Sequence, residues 1–124
     1  MTDKHILIVD DDAGTVDIIS IILKNAGYKI ATDNSGELLF LQTGIHPKLI
    51  LLDNKLGKKK GSDICMELKA NEETKNIPII MISATDELKL LAAKACADNF
   101  LPKPFSIEDL LSVVEETLLK KTVI

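Results

Sequence analysis

The apolar run Leu49-Ile-Leu-Leu52 constrains the fold most, because no polar residue interrupts it and Asp53 follows it directly. A half-exposed strand alternates apolar and polar side chains, so an unbroken run after Pro47 and before Gly57 indicates a strand buried on both faces. Such strands are typical of parallel sheets covered by helices. An acid at the carboxyl end of this strand lies where α/β sheets bind ligands, although Asp at a strand end also caps turns.

Strand-like and helix-like segments alternate five times along the chain. The predicted strands are residues 5–10, 28–32, 49–52, 77–82 and 100–101, and the predicted helices are residues 13–26, 35–44, 62–71, 86–96 and 106–118. Short connections between them predict an α/β fold, a doubly wound (βα)5 three-layer sandwich with a five-stranded parallel sheet. Pro102 cannot donate a ladder hydrogen bond, which places the fifth strand at an edge, as in the flavodoxin-like order 2-1-3-4-5.

Length and composition indicate one soluble domain, residues 1–124. No apolar run approaches membrane-spanning length and no secretion signal precedes the first strand, so we expect a cytoplasmic protein without a membrane partner. The net charge of -4 argues against nucleic acid as a direct partner. Cys65 and Cys96 show neither metal-ligand nor redox spacing, which fits buried or half-buried thiols in a reducing compartment.

Polar residues follow the carboxyl ends of four predicted parallel strands, which would bring Asp10, Asp11, Asp53, Ser83 and Lys103 to one rim. Carboxylates ~4 Å apart repel by about 4 kcal/mol at an effective dielectric constant near 20, so the acids imply a bound cation. Oxygen ligands alone, with room for water and phosphate, favour Mg²⁺. A lysine and a hydroxyl beside a central carboxylate suit phosphoryl transfer, with Asp53 as the nucleophile.

Four motifs resemble a known family, in order and over essentially the whole chain. They are Val9-Asp10-Asp11, Leu51-Leu52-Asp53, Ile82-Ser83-Ala84 and the segment from Phe100 to Phe105 that contains Lys103-Pro104. Together they resemble the receiver domain of two-component response regulators, of the chemotaxis-regulator type. The same resemblance supports the strand order 2-1-3-4-5.

The resemblance implies that Asp53 accepts a phosphoryl group from a histidine kinase or a histidine phosphotransfer protein. It also implies that Asp11, Asp53 and the Lys55 backbone carbonyl bind Mg²⁺ directly, and that Asp10 holds the ion through water. The domain would catalyse only its own phosphorylation and autodephosphorylation, and so would not be an enzyme with an external substrate.

The resemblance further implies that Lys103 pairs with the phosphoryl group, that Ser83 moves to hydrogen-bond it, and that Phe100 is the aromatic switch residue. A cis Lys103-Pro104 bond is expected. The switched domain would regulate a downstream target protein or an output domain absent from this sequence, and could form a phosphorylation-dependent dimer.

The chain departs from the family pattern at Gly57, where proline is usual, and in the following run Lys58–Lys60. Glycine would leave this loop freer. The lysine run is interpreted as a solvated loop, with attraction of an anionic donor or partner as the alternative. Cys96 stands where glycine is common. We predict that Lys55 and Thr85, each two residues past a site residue, tune the rate of dephosphorylation.

Two other functions are alternatives to the phosphoacceptor hypothesis. A Mg²⁺-dependent phosphohydrolase typically needs a second acid two residues after the nucleophile, and Lys55 occupies that position. A receiver-like domain that only binds a partner is disfavoured by the complete site, although Gly57 keeps this alternative open.

We also expect Asp12 to cap the first helix, and Ile18 and Ile21 to form a docking face for the histidine-bearing donor.

Overall fold

The computed structural model describes residues 5–44 and 46–122, so both ends of the predicted domain lie outside the described residues. Five parallel strands form one sheet in the order β2-β1-β3-β6-β7, and β4 and β5 form a separate two-stranded sheet. The strands are β1 (Ile6–Val9), β2 (Ile30–Asp33), β3 (Leu49–Asp53), β4 (Lys55–Leu56), β5 (Lys59–Lys60), β6 (Ile79–Ser83) and β7 (Asn99–Pro102). The helices are α1 (Ala13–Asn25), α2 (Gly61–Ala70), α3 (Leu88–Lys94) and α4 (Ile107–Thr122), with a 3-10 helix at Leu39–Thr43.

The main sheet confirms the predicted order 2-1-3-4-5, since β6 and β7 are its fourth and fifth strands along the chain. Strand β3 lies at its centre between β1 and β6, and the residues from Leu49 to Leu52 are at most 1% exposed. Pro102 closes β7, which is an edge strand as predicted.

Alternate residues of the strands pack into two separate cores on the two faces of the sheet. On one face, Ile50 and Leu52 pack with Cys65 of α2 and Leu88 of α3. On the other face, Leu49 and Leu51 pack in a cluster with residues of α1 and α4. This is the three-layer sandwich that the periodicity predicts, and it leaves the carboxyl edge of the sheet to its loops.

The prediction of a helix over residues 35–44 was wrong, because this segment contains only the short 3-10 helix Leu39–Thr43. The Asp33 carboxylate accepts hydrogen bonds from the backbone amides of Ser35, Gly36 and Leu38, which hold these residues in a turn. Within this turn Gly36 (φ +79°) and Leu38 (φ +57°) have left-handed backbones. A right-handed helix cannot contain them, so only the short 3-10 helix forms after Leu38.

The lysine run is not a plain loop, which corrects the prediction. Strands β4 and β5 pair antiparallel in a tight hairpin, with Lys55 opposite Lys60 and Leu56 opposite Lys59. Leu56 is 4% exposed and anchors the hairpin to the core, whereas the lysines themselves are exposed as predicted.

The cysteines differ in environment. Cys65 is buried, and burial raises the pKa of its thiol to about 11. Cys96 is exposed, not half-buried, and its φ of +63° explains why glycine suits this position. Both thiols are free.

Within the described part of the chain, no helix has both the length and the apolarity needed to cross a membrane.

Candidate functional site at the carboxyl edge of the sheet

The register of the parallel strands brings the predicted site residues to one edge of the sheet. Val9 lies opposite Leu52, so Asp10 follows beside Asp53, and Asp53 is aligned with Ile82, which directly precedes Ser83. Every predicted site residue except Phe100 lines a cavity of about 380 Å³ at this edge. The close grouping on four strands agrees with the prediction from the motifs.

Asp53 lines this cavity, and both of its carboxylate oxygens accept hydrogen bonds. The residue is only 5% exposed. Its Oδ1 accepts a hydrogen bond from Lys103 Nζ at 2.8 Å, and its Oδ2 accepts one from the Lys55 backbone amide at 2.9 Å. These bonds fix the orientation of the carboxylate toward the cavity.

Lys103 is the cation that faces the buried acids. Its Nζ lies 2.8 Å from Asp53 Oδ1 and 3.7 Å from Asp10 Oδ2. Its amide donates to the Ser83 carbonyl at 2.9 Å, and the Lys103–Pro104 peptide bond is cis, as predicted. Burial lowers the pKa of Lys103, but the hydrogen bond and the charges of Asp53 and Asp10 outweigh it, so the pKa is raised overall. Lys103 is therefore firmly protonated.

Asp10 is 2% exposed, and the negative charge of its carboxylate is only partly compensated. Its Oδ1 accepts the Asp12 amide at 2.9 Å, whereas its Oδ2 has no hydrogen-bond partner among the described residues. Burial and, to a smaller extent, the charge of Asp53 raise the pKa of Asp10, against the Asp12 amide and Lys103, which lower it. A buried carboxylate oxygen in this state needs a cation or an ordered water.

Asp11 completes the acidic cluster. One carboxylate oxygen each of Asp10, Asp11 and Asp53 lies within 4.8 Å of the others, a spacing suited to one metal ion. Asp11 Oδ2 also accepts a hydrogen bond from the Gly57 amide at 2.9 Å. Asp12 also lines the cavity but is not one of the three clustered acids; as predicted, its carboxylate accepts the Thr15 amide and caps α1. The donor set consists only of oxygens, which favours a hard cation such as Mg²⁺.

The remaining predicted residues differ in how close they come to the carboxylates. Ser83 Oγ accepts the Thr85 amide at 3.2 Å, and Ser83, Thr85 and Lys55 all line the cavity. Phe100 does not. It lies in β7 opposite Met81 and packs against the core on the α2 and α3 face of the sheet. Any link between Phe100 and the carboxylates must therefore pass through β6 and β7.

Sequence reasoning missed two residues, Gly61 and Asn54, that fix the backbone around Asp53. A Cβ atom on Gly61 would lie 2.3 Å from the Asp53 carbonyl oxygen, so only glycine fits there. Asn54 accepts the amides of Gly61 and Ser62 through its carbonyl and its Oδ1, at 2.8 and 3.0 Å. Asn54 thus caps α2 in place of Lys60, whose side chain makes no capping bond. A glycine opening a helix that lacks a capping residue was the available signal.

The pairing of Lys103 with two buried acids leads to a stability prediction. We expect Lys103→Met to lower the free energy of unfolding by about 2 kcal/mol at neutral pH in chelator, because it leaves the buried carboxylates of Asp53 and Asp10 without their cation. The loss stays below that of a fully buried pair because the Lys103 side chain is 26% exposed. The raised pKa of Asp10 means that the folded state binds this proton more tightly than the unfolded state. The loss of unfolding free energy caused by Lys103→Met should therefore become smaller as the pH falls.

Urea denaturation at neutral and mildly acidic pH measures this effect. Lys120→Met is the matched control, because the Lys120–Glu116 pair is exposed and should contribute less than ~0.5 kcal/mol. A loss from Lys103→Met that stayed constant or grew on acidification would contradict the assignment of Lys103 as the counter-ion of Asp10.

Comparison with known proteins places this geometry in a family. Residues 6–115 match the response regulator receiver domain. The transcriptional regulator RpaA of Synechocystis is 38% identical over 95% of this chain and 50% of its own length. The phosphate regulon regulatory protein PhoB of Pseudomonas aeruginosa is 36% identical over 95% of this chain and 53% of its own length. The chain thus spans about half the length of these relatives.

Solved structures agree with the sequence matches. A putative response regulator from Chloroflexus aurantiacus is 28% identical with a TM-score of 0.86, over 95% of this chain and 99% of that one. The chemotaxis protein CheY4 of Vibrio cholerae is 25% identical with a TM-score of 0.82, over 94% of this chain and 99% of that one. With the family match, the sheet order and the acid and lysine site in agreement, this chain belongs to the receiver domain family of two-component response regulators, whose members are signalling phosphoacceptors.

Proposed function

We propose that residues 1–124 form a single receiver domain that accepts a phosphoryl group on Asp53 and changes conformation in response. The observation that carries this proposal is the position of Asp53, which is buried, lines the cavity, accepts a hydrogen bond from Lys103 and is clustered with Asp10 and Asp11. This arrangement provides a nucleophile, a fixed cation and a set of oxygen ligands at one point.

Mg²⁺ is the proposed cofactor. Asp11, Asp53 and the Lys55 carbonyl would hold it directly, and Asp10 through water. The Oδ2 of buried Asp10, which accepts no hydrogen bond from the described residues, and the close spacing of the three acids support this set. When bound, the ion supplies positive charge that neutralises the acids and the phosphoryl oxygens.

The residues of the chain have distinct proposed roles in the transfer. A carboxylate oxygen of Asp53 forms the new bond to phosphorus while the bond from phosphorus to the donor's histidine nitrogen breaks, and the electron pair of that bond stays on the nitrogen. Lys103 would then exchange its bond with Asp53 for one with the phosphoryl oxygens. Ser83 would turn its hydroxyl to the same group, and Phe100 would repack as the aromatic switch residue. Such a switch needs ~5.5 kcal/mol to reverse a 1:99 equilibrium.

Hydrolysis of the acyl phosphate by the domain itself completes the cycle, and Lys55 and Thr85 are proposed to set its rate. Lys55 also argues against a phosphohydrolase, because it replaces the carboxylic acid that this class typically has two residues after the nucleophile. Both residues line the same cavity as Asp53.

We predict that Lys55→Ala and Thr85→Ala each shorten the lifetime of the phosphorylated domain about fivefold, which corresponds to ~1 kcal/mol in the activation barrier. The smaller side chains leave more room for an attacking water. The decay of the phosphorylated mass after removal of the donor measures the lifetime. Lys89→Ala, an exposed lysine of α3, is the control. Unchanged lifetimes in both variants would remove Lys55 and Thr85 from this role.

A histidine kinase or histidine phosphotransfer protein is the proposed donor, and it is proposed to dock on α1. Ile18 and Ile21 are 57% and 60% exposed, so α1 presents two large apolar side chains to solvent. Ile18 also borders an apolar cavity of about 410 Å³ with Pro104 and Phe105, next to Lys103. The apolar surface thus reaches the edge of the phosphoacceptor site.

We predict that Ile18→Glu and Ile21→Glu each slow phosphoryl transfer from the cognate histidine donor about tenfold, which corresponds to ~1.4 kcal/mol of contact energy. Phosphorylation by acetyl phosphate should be unchanged, because a small donor needs no docking helix. Met66→Glu, an exposed apolar position on the opposite face of the sheet, is the control. Equal transfer rates in wild type and both variants would place the donor elsewhere.

The output is proposed to lie in another protein or in a further domain, which a phosphorylation-dependent dimer would help to engage. RpaA is described as DNA-binding. For this domain the net charge of -4 makes direct contact with nucleic acid unfavourable. A cytoplasmic location is proposed from the two free thiols, which suit a reducing compartment.

Intact mass after exposure to acetyl phosphate tests the proposed function. With Mg²⁺ the domain should gain the mass of one phosphoryl group, and with chelator the gain should fall to a small fraction. Hydroxylamine should remove the added mass, because it cleaves acyl phosphates. A domain that never gains this mass, at any donor concentration, would be a receiver-like binding module instead.

A further inference from the structure

The turn of the β4–β5 hairpin touches the acidic cluster from a direction that the motifs do not indicate. The amide of Gly57 donates a 2.9 Å hydrogen bond to Oδ2 of Asp11, across 46 residues of sequence. Asp11 is otherwise an exposed side chain on the loop after β1. Without this bond, its carboxylate would be free to rotate into solvent.

The geometry of the hairpin depends on glycine at this position. Strands β4 and β5 are joined by Gly57 and Lys58, and Gly57 has a φ of +61°. Lys58 is not among the residues with positive φ, which is the pattern of a type II′ turn with glycine in the first place. This conformation turns the Gly57 amide toward Asp11.

The hairpin is held at both ends, so the amide is fixed in space. Leu56 is 4% exposed in the core, and at the base of the hairpin Gly61 donates to the Asn54 carbonyl at 2.8 Å. A Cβ on Gly57 would meet no atom within 4 Å, so the requirement for glycine comes from the backbone conformation and not from crowding.

We propose that the Gly57 amide is a positioning group for the cation site: it holds Asp11 Oδ2 and so keeps this carboxylate beside Asp10 and Asp53 before any ion binds. The inference rests on the proposed Mg²⁺ site. Proline, although usual at this position in the family, would remove the donor and fix φ near −65°, so this chain would lose both its bond to Asp11 and its own turn at Gly57. Alanine keeps the amide, although with strain at positive φ.

Mg²⁺ affinity measured by isothermal titration calorimetry tests this role. Gly57→Pro should weaken binding about tenfold, as is common when a group that orients a metal ligand is removed. Gly57→Ala should stay within about threefold of wild type, because it keeps the donor. Gly44→Ala is the matched control, since Gly44 also has a positive φ (+83°) and open space around it but lies in the loop before β3. It should bind Mg²⁺ like wild type.

A second readout needs neither the ion nor a folded proline variant. In chelator, Asp11→Ala should move the Gly57 amide proton upfield and speed its exchange with solvent about tenfold, while the Gly44 amide stays unchanged. If this amide is unaffected by Asp11→Ala, or if Gly57→Pro folds and binds Mg²⁺ as tightly as wild type or more tightly, the positioning role is overturned. A wild type that binds no Mg²⁺ would overturn the proposed cofactor as well, which distinguishes the two failures.

Discussion

Asp53→Asn is expected to abolish the gain of a phosphoryl group from acetyl phosphate. The amide has nearly the same shape as the carboxylate and can still accept from Lys103 or from the Lys55 amide, so the fold should persist. It carries no charge and is a very poor nucleophile, so the bond to phosphorus cannot form. Loss of one acid from the cluster should also weaken Mg²⁺ binding by at least about tenfold. Intact mass and calorimetry measure the two effects.

Asp12→Asn is the matched control for this prediction. Asp12 is a neighbouring acid that caps α1 through the Thr15 amide, and asparagine caps helices about as well. This variant should therefore take up phosphate like wild type. Full phosphorylation of Asp53→Asn would show that another residue is the acceptor and would end the assignment of Asp53.

Gly61→Ala is expected to lower the free energy of unfolding by about 3 kcal/mol, at the upper end of the range for overpacking. The new Cβ would lie 2.3 Å from the Asp53 carbonyl oxygen and 2.8 Å from the Asn54 Cα. Both are backbone atoms at the end of β3, so they cannot move aside as a flexible side chain could. Either α2 or the end of β3 must shift, and Mg²⁺ affinity should fall with it because Asp53 is displaced.

Urea denaturation and Mg²⁺ titration of the same samples separate these effects. Gly14→Ala is the control, because it also adds a Cβ near the start of a helix, and the nearest atom there is Asp12 Oδ2 at 3.8 Å. The greater helix propensity of alanine should make this variant up to ~1 kcal/mol more stable than wild type. A Gly61→Ala protein as stable as wild type would mean that α2 tolerates a larger separation from β3.

Much of the fold followed from local patterns in the sequence. The run from Leu49 to Leu52 indicated a central strand because a parallel strand is buried on both faces. Pro102 indicated an edge strand because it lacks an amide proton. These signals depend on the residue itself and its near neighbours, and the structure confirms both. The meeting of Asp10, Asp53 and Lys103 followed from strand direction alone.

The segment between β2 and β3 shows where such patterns fail. The cap-type Ser35 and the terminal Gly44 favoured a helix, but Gly36 and Leu38 have left-handed backbones in a turn that the Asp33 carboxylate holds through three amides. This turn depends on where β2 ends and how it directs the Asp33 side chain. The cap residues carry no information about that direction.

The sequence by itself determined the five strands of the main sheet, four of the helices, the two-sided core and the identity of the acids and the lysine at the site. Only the tertiary structure decided how tightly Gly61 approaches β3 and which amide orients Asp11. The physical reason is that burial and capping are recorded in local residue patterns. Contacts between backbone segments far apart in the chain depend on distances that exist only once the sheet, α2 and the hairpin have packed together.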